Sequence, residues 1–216
     1  MNVPRPLLRD NVYTALRADI LACRVAPGEE MREQDLATRY AVSRQPVRDA
    51  LLRLEQESLI TVHARQGYRV NPISLSDARD LFRFRLALEP ACIVEAAEQA
   101  SAETLQGLEH FRSFTGDGDD FIDYNRSFHT ALAEASGNRR MAMTARDLIE
   151  LADRLVRVSL SVIKGRDPAL LVAEHAAIIS ALQQRDGRRA SRLMRDHIAQ
   201  AERRILSALS RSAVIV

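Results

Sequence analysis

Tryptophan is missing from the 216 residues, lysine occurs once, at Lys164, and only two cysteines are present, Cys23 and Cys92. Two cysteines 69 positions apart form neither a CxxC pair nor the dense framework with which small secreted domains compensate for a thin core. That excludes a disulfide-rich or secreted scaffold, and a reducing cytoplasm is the expected compartment. Long apolar runs are also lacking. The longest stretch without a formal charge is the ten residues 175–184, against the roughly 18 that a membrane span needs. The opening MNVPRPLLRDN has no apolar core of signal-peptide type. Glycine and proline are sparse, eight and seven, so collagen-like sequence is excluded, and no repeat of solenoid period is visible. What is present, 46% hydrophobic and 28% charged, is the balance of a globular chain long enough for two small domains.

The scarcity of lysine makes the positive charge almost wholly guanidinium: 30 of the 31 basic residues are arginine. Arginine makes planar, two-toothed contacts with phosphates and base edges, but an arginine bias also follows from genomic base composition. Position separates the two readings. Between Arg39 and Arg69 six arginines face three acids, Asp49, Glu55 and Glu57, whereas from Ile73 onward 20 basic residues meet 20 acidic ones. The net charge of +2 therefore sits in the first third.

That first third reads as helices followed by a hairpin. Leu8, Val12, Leu16 and Ile20 form one apolar helical stripe, ended by Ala26-Pro27-Gly28. A short helix over 33–40 buries Leu36. Ser43 is placed to cap the next helix, with Pro46 in its first turn and Val47, Ala50, Leu51 and Leu54 facing inward. Residues 59–62 and 68–70 are β-prone and bracket a basic tip, which predicts a two-stranded hairpin. Pro72 pushes Asn71 out of helical geometry and marks a boundary. The expected division is a winged helix-turn-helix over 1–72, a linker over 73–76, and an all-helical domain over 77–216. Six helices are predicted there, at 76–99, 102–115, 119–136, 138–163, 168–185 and 187–210. The short loops between these amphipathic helices imply an antiparallel bundle. The fold class is mainly α.

The stretch 31–70 offers a short helix, a three-residue turn and a second helix whose exposed opening carries Ser43, Arg44, Gln45 and Arg48. Arginine and glutamine match the hydrogen-bonding edges of guanine and adenine in the major groove, and reading from the front of the second helix is how helix-turn-helix proteins dock. The hairpin tip Arg65-Gln66-Gly67 would be a wing against the duplex backbone. The alternative is a small helical subdomain with a solvated arginine face. In the bundle, His129, His175 and His197 each share a helix face with apolar residues, and Asn125 lies one turn before His129. A single such histidine reads equally as a hydrogen-bonded core residue. Three on different helices suggest a site for Zn²⁺, Ni²⁺ or a similar ion, with Asn125 as oxygen donor. Arg85, in the stripe Leu81, Arg85, Leu88, Cys92, wants an anion: either Glu89 four residues on or an effector carboxylate. Arg154 and Arg157 are weaker candidates of the same kind. A metal-dependent hydrolase is the competing reading, although HExxH is absent and Glu174 beside His175 is the only close acid.

The pattern VSR-x-PVR-x-AL-x-RLE, carried by Val42-Ser43-Arg44, Pro46-Val47-Arg48 and Ala50-Leu51, resembles the winged helix-turn-helix of the GntR family of bacterial transcription regulators. The resemblance implies that Arg44 and Arg48 contact bases and phosphate, that Gln45 sits at a specificity position and that Gly67 lies at the wing tip. Gln34 stands where the family often has arginine, which weakens one expected DNA contact, and Ser58 where it often has glycine. Farther on, FRxxLEPA at 84–91, NxxFHxxLAxASGN at 125–138, EHxxIxxAL at 174–182 and AxxxMxxHI at 190–198 resemble the FCD effector domain of the FadR group, in its smaller VanR-like form. That likeness implies a metal held by an aspartate and three histidines. Here these are His129, His175 and His197, with Asn125 at the aspartate position; Asp123 is two residues off and would face elsewhere. It implies a homodimer that reads a pseudo-palindromic operator in double-stranded DNA, responds to a small carboxylate effector, and performs no catalysis.

Overall fold

The computed structural model describes residues 8–63, 67–116, 118–162 and 168–210. Its internal contacts divide the chain between Ile73 and Ser74 into two compact units. In the first, α1 (Leu8–Leu21) packs its stripe Val12, Leu16 and Ile20 against α3 (Arg44–Gln56), whose Val47, Ala50, Leu51 and Leu54 are buried. The short α2 (Glu33–Arg39) packs beside α3. A sheet of order β1-β3-β2 follows, with β2 (Ile60–His63) and β3 (Gly67–Val70) antiparallel in the register Ile60↔Val70 and Val62↔Tyr68.

The hairpin is thus three-stranded: β1 (Glu30–Met31) adds to β3, pairing Glu30 with Arg69 and Met31 with Tyr68. Two residues are too few to show a period of two, so this strand leaves no pattern in the sequence. It is held by the chain around it, where the Gly28 amide donates to the Val70 carbonyl at 2.8 Å and the Val70 amide to the Glu29 carbonyl at 2.9 Å. The strand also explains Gly67. Its φ is +111°, and a Cβ there would lie 2.6 Å from the Met31 carbonyl oxygen. The Gly67 position is required by β1 inside the chain.

Both ends of the helix-turn-helix stop in the same way. After α2, the Ala41 amide donates to the Thr38 carbonyl and the Val42 amide to that of Ala37 (3.2 and 3.0 Å). After α3, Ser58 and Leu59 repeat this with Glu55 and Leu54 (2.9 and 3.0 Å). These paired bonds are the Schellman arrangement, which needs a left-handed residue and favours glycine there. Here Ala41 and Ser58 take the position, at φ +53° and +57°.

The second unit is a helical bundle. Its helices are α4 (Leu75–Gln99), α5 (Ala102–Gly107), α6 (Gly118–Ala135), α7 (Arg139–Val162), α8 (Pro168–Gln183) and α9 (Gly187–Leu209). Helix α4 packs on α9, α7 and α6 and forms the centre. Pro90 lies inside it and cannot donate to the Leu86 carbonyl; Arg195 of α9 reaches that oxygen at 3.4 Å. The helix expected over 102–115 is shorter. After α5 the chain tightens into a 3-10 turn (Leu108–Arg112) and is extended by Ser113. Leu105, Leu108 and Phe111 are buried at a spacing of three, which a 3-10 turn keeps on one face. Arg112 ties the turn to α8 through the Ala176 carbonyl, Ser180 and Gln183, at 2.9–3.0 Å. Among the described residues no helix is long and apolar enough to cross a membrane.

A left-handed alanine costs about 1–2 kcal/mol relative to glycine, part of which glycine loses again through its freer unfolded chain. Ala41→Gly is therefore expected to stabilise the protein by about 1 kcal/mol. Thermal denaturation followed by circular dichroism checks it, and a lowered melting temperature would contradict the Schellman turn.

Candidate functional site

The exposed face of the helix-turn-helix comes first. Val47, Ala50, Leu51 and Leu54 take the buried side of α3, which turns Ser43, Arg44, Gln45 and Arg48 outward together. Ser43 occupies the N-cap position with extended backbone (φ −71°, ψ 168°), but its side chain makes no capping bond. Arg48 donates both Nε and Nη2 to the Glu33 carboxylate (3.0 and 2.8 Å), and the Tyr68 hydroxyl donates to the same group at 3.0 Å. These bonds, led by that from Arg48 and opposed by slight burial, hold the Glu33 carboxyl below the usual range. Arg44 donates Nε to the Gln34 side-chain oxygen at 2.6 Å and a second nitrogen to the same atom. Gln45 donates to Asp49 at 2.9 Å. Gln34, expected only as a weakened contact, is therefore a tether for Arg44. Glu33 was not singled out in the sequence; nothing in its spacing from Arg48, fifteen positions away, marks the pair. Arg65 and Gln66 lie outside the described residues.

The bundle brings the three histidines together. His129 of α6, His175 of α8 and His197 of α9 are 1%, 0% and 3% exposed, and they place one ligand nitrogen each within 4.8 Å of the others. The Nδ1 atoms all point away from the cluster centre to oxygens. His129 Nδ1 meets Glu89 Oε2 at 2.6 Å, His197 Nδ1 meets Glu174 Oε2 at 2.6 Å, and His175 Nδ1 meets the Tyr124 hydroxyl at 3.1 Å. Tyr124 spends its own proton on the Phe111 carbonyl at 2.6 Å, so it accepts from His175. With acceptors on every Nδ1, the protons sit there and the lone pairs sit on Nε2. His129 and His197 face each other Nε2 to Nε2 at 3.2 Å, and the buried Nε2 of His175 has no hydrogen-bond partner.

The charges follow from burial and partners. Burial opposes ionisation of Glu89, but Arg85, whose Nε lies 2.5 Å from Oε1, and His129 outweigh it and hold the carboxyl down to about 2. Burial pushes His129 down to about 4 against the pull of Glu89, and it pushes His175 well below 6.5, with the neighbouring imidazoles adding to the effect. Both rings are thus neutral near pH 7, the form that binds metal. Ligand nitrogens about 2.0–2.1 Å from a tetrahedral ion lie roughly 3.3 Å apart, close to the spacing of His129 and His197. The triad could hold a metal ion.

A cavity of about 40 Å³ opens beside the triad, lined by His129, His197, Asn125, Arg85 and Arg204 among apolar side chains. Asn125 thus stands at the same pocket as His129 and His197. Arg85 also lines it, with Glu89 as its partner, the first of the two readings open in the sequence. Asp123 is exposed and pairs with Arg126 at 2.6 Å. Asp153, at 4% exposure, pairs with Arg126 at 2.8 Å, and burial still lifts its carboxyl to about 6. Glu174, the acid adjacent to His175, serves His197 instead. The oxygens behind the imidazoles, on Glu89, Tyr124 and Glu174, escaped the sequence reading because they come from other helices or from a neighbouring position that turns elsewhere.

Residues 8–70 match the model for bacterial regulatory proteins of the gntR family, and residues 80–200 match the FCD domain. The chain is 32% identical over 203 residues to the HTH-type transcriptional regulator YdfH of Escherichia coli O6:H1, covering 91% of this chain and 88% of that one. It is 31% identical, over the same shares, to the HTH-type transcriptional repressor RspR of Escherichia coli K12. In structure it resembles E. coli McbR/YncC, with a TM-score of 0.83 at 20% identity over 96% of this chain and all of that one, a likeness of fold.

Glu89→Gln removes the charge that orients His129 and pairs with Arg85, and zinc affinity is expected to fall by about 10–100-fold in competition with a chromophoric chelator. Glu174→Gln, nearer the surface, should act in the same direction, and unchanged affinity in both would show that these carboxylates do not set the site. Acid should also unfold the metal-free protein. In the unfolded chain both histidines bind protons near 6.5; in the folded one His129 does so only at about 4 and His175 well below 6.5. Their contribution is complete above pH 6.5 and is lost as the pH falls toward 4. Chelator-treated protein should therefore melt at a lower temperature at pH 5 than at pH 7.5; equal melting would contradict it.

Proposed function

The chain belongs to the GntR family of bacterial DNA-binding transcription regulators, with an FCD effector domain after its winged helix, and from that premise we propose that a small organic acid, held beside a divalent metal in the histidine pocket, sets its affinity for operator DNA. The observation that carries this reading is the meeting of three buried imidazoles, one ligand nitrogen of each within 4.8 Å of the others and each ring fixed from behind by an oxygen, with His129 and His197 lining the cavity. His129, His175 and His197 are the metal ligands in this reading and Asn125 the fourth, an amide oxygen in place of a carboxylate. Zinc and nickel suit imidazole donors. The metal would supply a charged anchor for an acidic ligand, with Arg85 beside it.

The DNA-binding residues in this reading are Ser43, Arg44, Gln45 and Arg48 on the recognition helix, Gln34 behind them, and Arg65, Gln66 and Gly67 at the wing. The division into a DNA-binding domain over 1–72, a linker over 73–76 and an effector and dimerisation domain over 77–216 follows the same reading. Two copies would present two recognition helices to the half-sites of a pseudo-palindromic operator in the cytoplasm. An effector acts by binding one dimer geometry better than another, and the shift in operator affinity cannot exceed that difference. The relatives are regulators rather than enzymes, and a hydrolase reading has no support from them.

A duplex selected from a random pool by the wild-type protein provides the test. Arg44→Ala and Arg48→Ala should each weaken binding to it by about tenfold or more while leaving the circular dichroism spectrum unchanged. Wild-type affinity in both variants would overturn the assignment.

A further inference from the structure

Among the described residues of the bundle, one guanidinium keeps two buried donors without an acceptor. Arg204 of α9 lines the 40 Å³ cavity, and its Nε and Nη2 are both buried without a hydrogen-bond partner. These two nitrogens form one edge of the guanidinium, the edge that binds a carboxylate with two parallel hydrogen bonds. The group cannot shed its charge, and dry, unpaired donors are costly to keep. A structural arginine would find an acceptor within the fold, as Arg112, Arg85 and Arg126 do here.

Its position gives the open edge a purpose. Arg204 follows His197 by seven residues, two helical turns and about 10.5 Å along α9 on nearly the same face. Helical side chains lean toward the N-terminus, so the guanidinium leans back toward the imidazoles, and both groups line one cavity. Apart from Arg85 and Asn125, the remaining lining is apolar. At roughly 10–15 Å³ per water-sized position, the cavity has room for about three such positions, hence an acid of about three to six non-hydrogen atoms.

We propose that Arg204 is the receptor for the effector's carboxylate, which lies across its Nε–Nη2 edge while the other end of a short acid points toward the histidine cluster. This rests on the reading of the histidine pocket as the effector site, and it deepens that reading by assigning the anion's seat to a residue that coordinates no metal.

The experiment is a thermal-shift titration of the full-length protein with acetate and L-lactate, and with acetamide and lactamide as neutral isosteres, at constant ionic strength. It is run on zinc-loaded and on chelator-treated wild type, Arg204→Met and Arg204→Lys. The acids should stabilise the wild type saturably and the amides should not. Arg204→Met should raise the acid concentration at half-saturation about tenfold to a hundredfold, and Arg204→Lys, a charge without the fork, by less. Without ligand, Arg204→Met should melt at or above the wild-type temperature, because it removes an unpaired buried edge; a structural arginine would give the reverse. The zinc content of both variants should equal that of the wild type. Acid binding that is undiminished in Arg204→Met, amides that bind as well as acids, or no acid binding to the wild type would each overturn the proposal. Failure of the wild type to hold zinc, with acids still bound through Arg204, would remove the metal from the proposed function and leave this inference standing.

Discussion

Glu89 sits at the centre of the bundle between a guanidinium and an imidazole, and much of the pocket depends on that one carboxylate. A lone ionised acid at 3% exposure would be too costly to keep. Arg85 on one oxygen and His129 on the other make it tolerable. Losing one member of such a buried set typically costs about 3–5 kcal/mol, a large part of the roughly 5–15 kcal/mol that holds most domains folded. The same contact fixes the His129 ring, with its proton on Nδ1 and its lone pair turned to the cavity. Stability and the orientation of the His129 ring therefore meet at one carboxylate.

The arrangement recurs with different chemistry at the other two imidazoles. Glu174 orients His197 from a position nearer solvent. Tyr124 orients His175 as a neutral hydroxyl, itself anchored by the Phe111 carbonyl in the 3-10 turn. His175 also stacks on Phe128 at a centroid distance of 3.8 Å and an angle of 16°, so its plane is set by packing as well as by hydrogen bonding. One carboxylate at full burial, one near the surface and one phenol keep buried negative charge to a minimum while still pointing three lone pairs inward. On the helix-turn-helix the same kinds of partner act in water. Glu33 holds Arg48, and Gln34 holds Arg44, but exposed pairs contribute only about 0–1 kcal/mol. Such exposed contacts cost little to break, whereas those around the histidines hold buried rings.

The elements that escaped the sequence share a cause. The strand β1 has two residues and no periodicity of its own, and only its pairing with β3 makes it a strand. The tail of the helix expected over 102–115 tightened to a 3-10 turn because Arg112 found its partners on α8, some seventy positions away. Gly67, read as a place for close approach to a duplex, is demanded first by the Met31 carbonyl. Ser43 has the backbone of an N-cap without the capping bond. In the first three cases a contact remote in sequence overrode or replaced a local signal.

From the sequence alone came the helical periodicity, the exposed opening turn of α3 and the three histidines on inward faces, because each is a matter of spacing along one helix. Their meeting point did not. That the imidazoles converge through Nε2, that Glu89 serves Arg85 and His129 at once, that Glu174 turns from its neighbour to His197, and that Arg204 is left with a dry, unanswered edge were decided by tertiary packing. Periodicity tells which face of a helix is buried, but the partner of a buried polar atom is chosen by how several helices cross, and that choice is made in three dimensions.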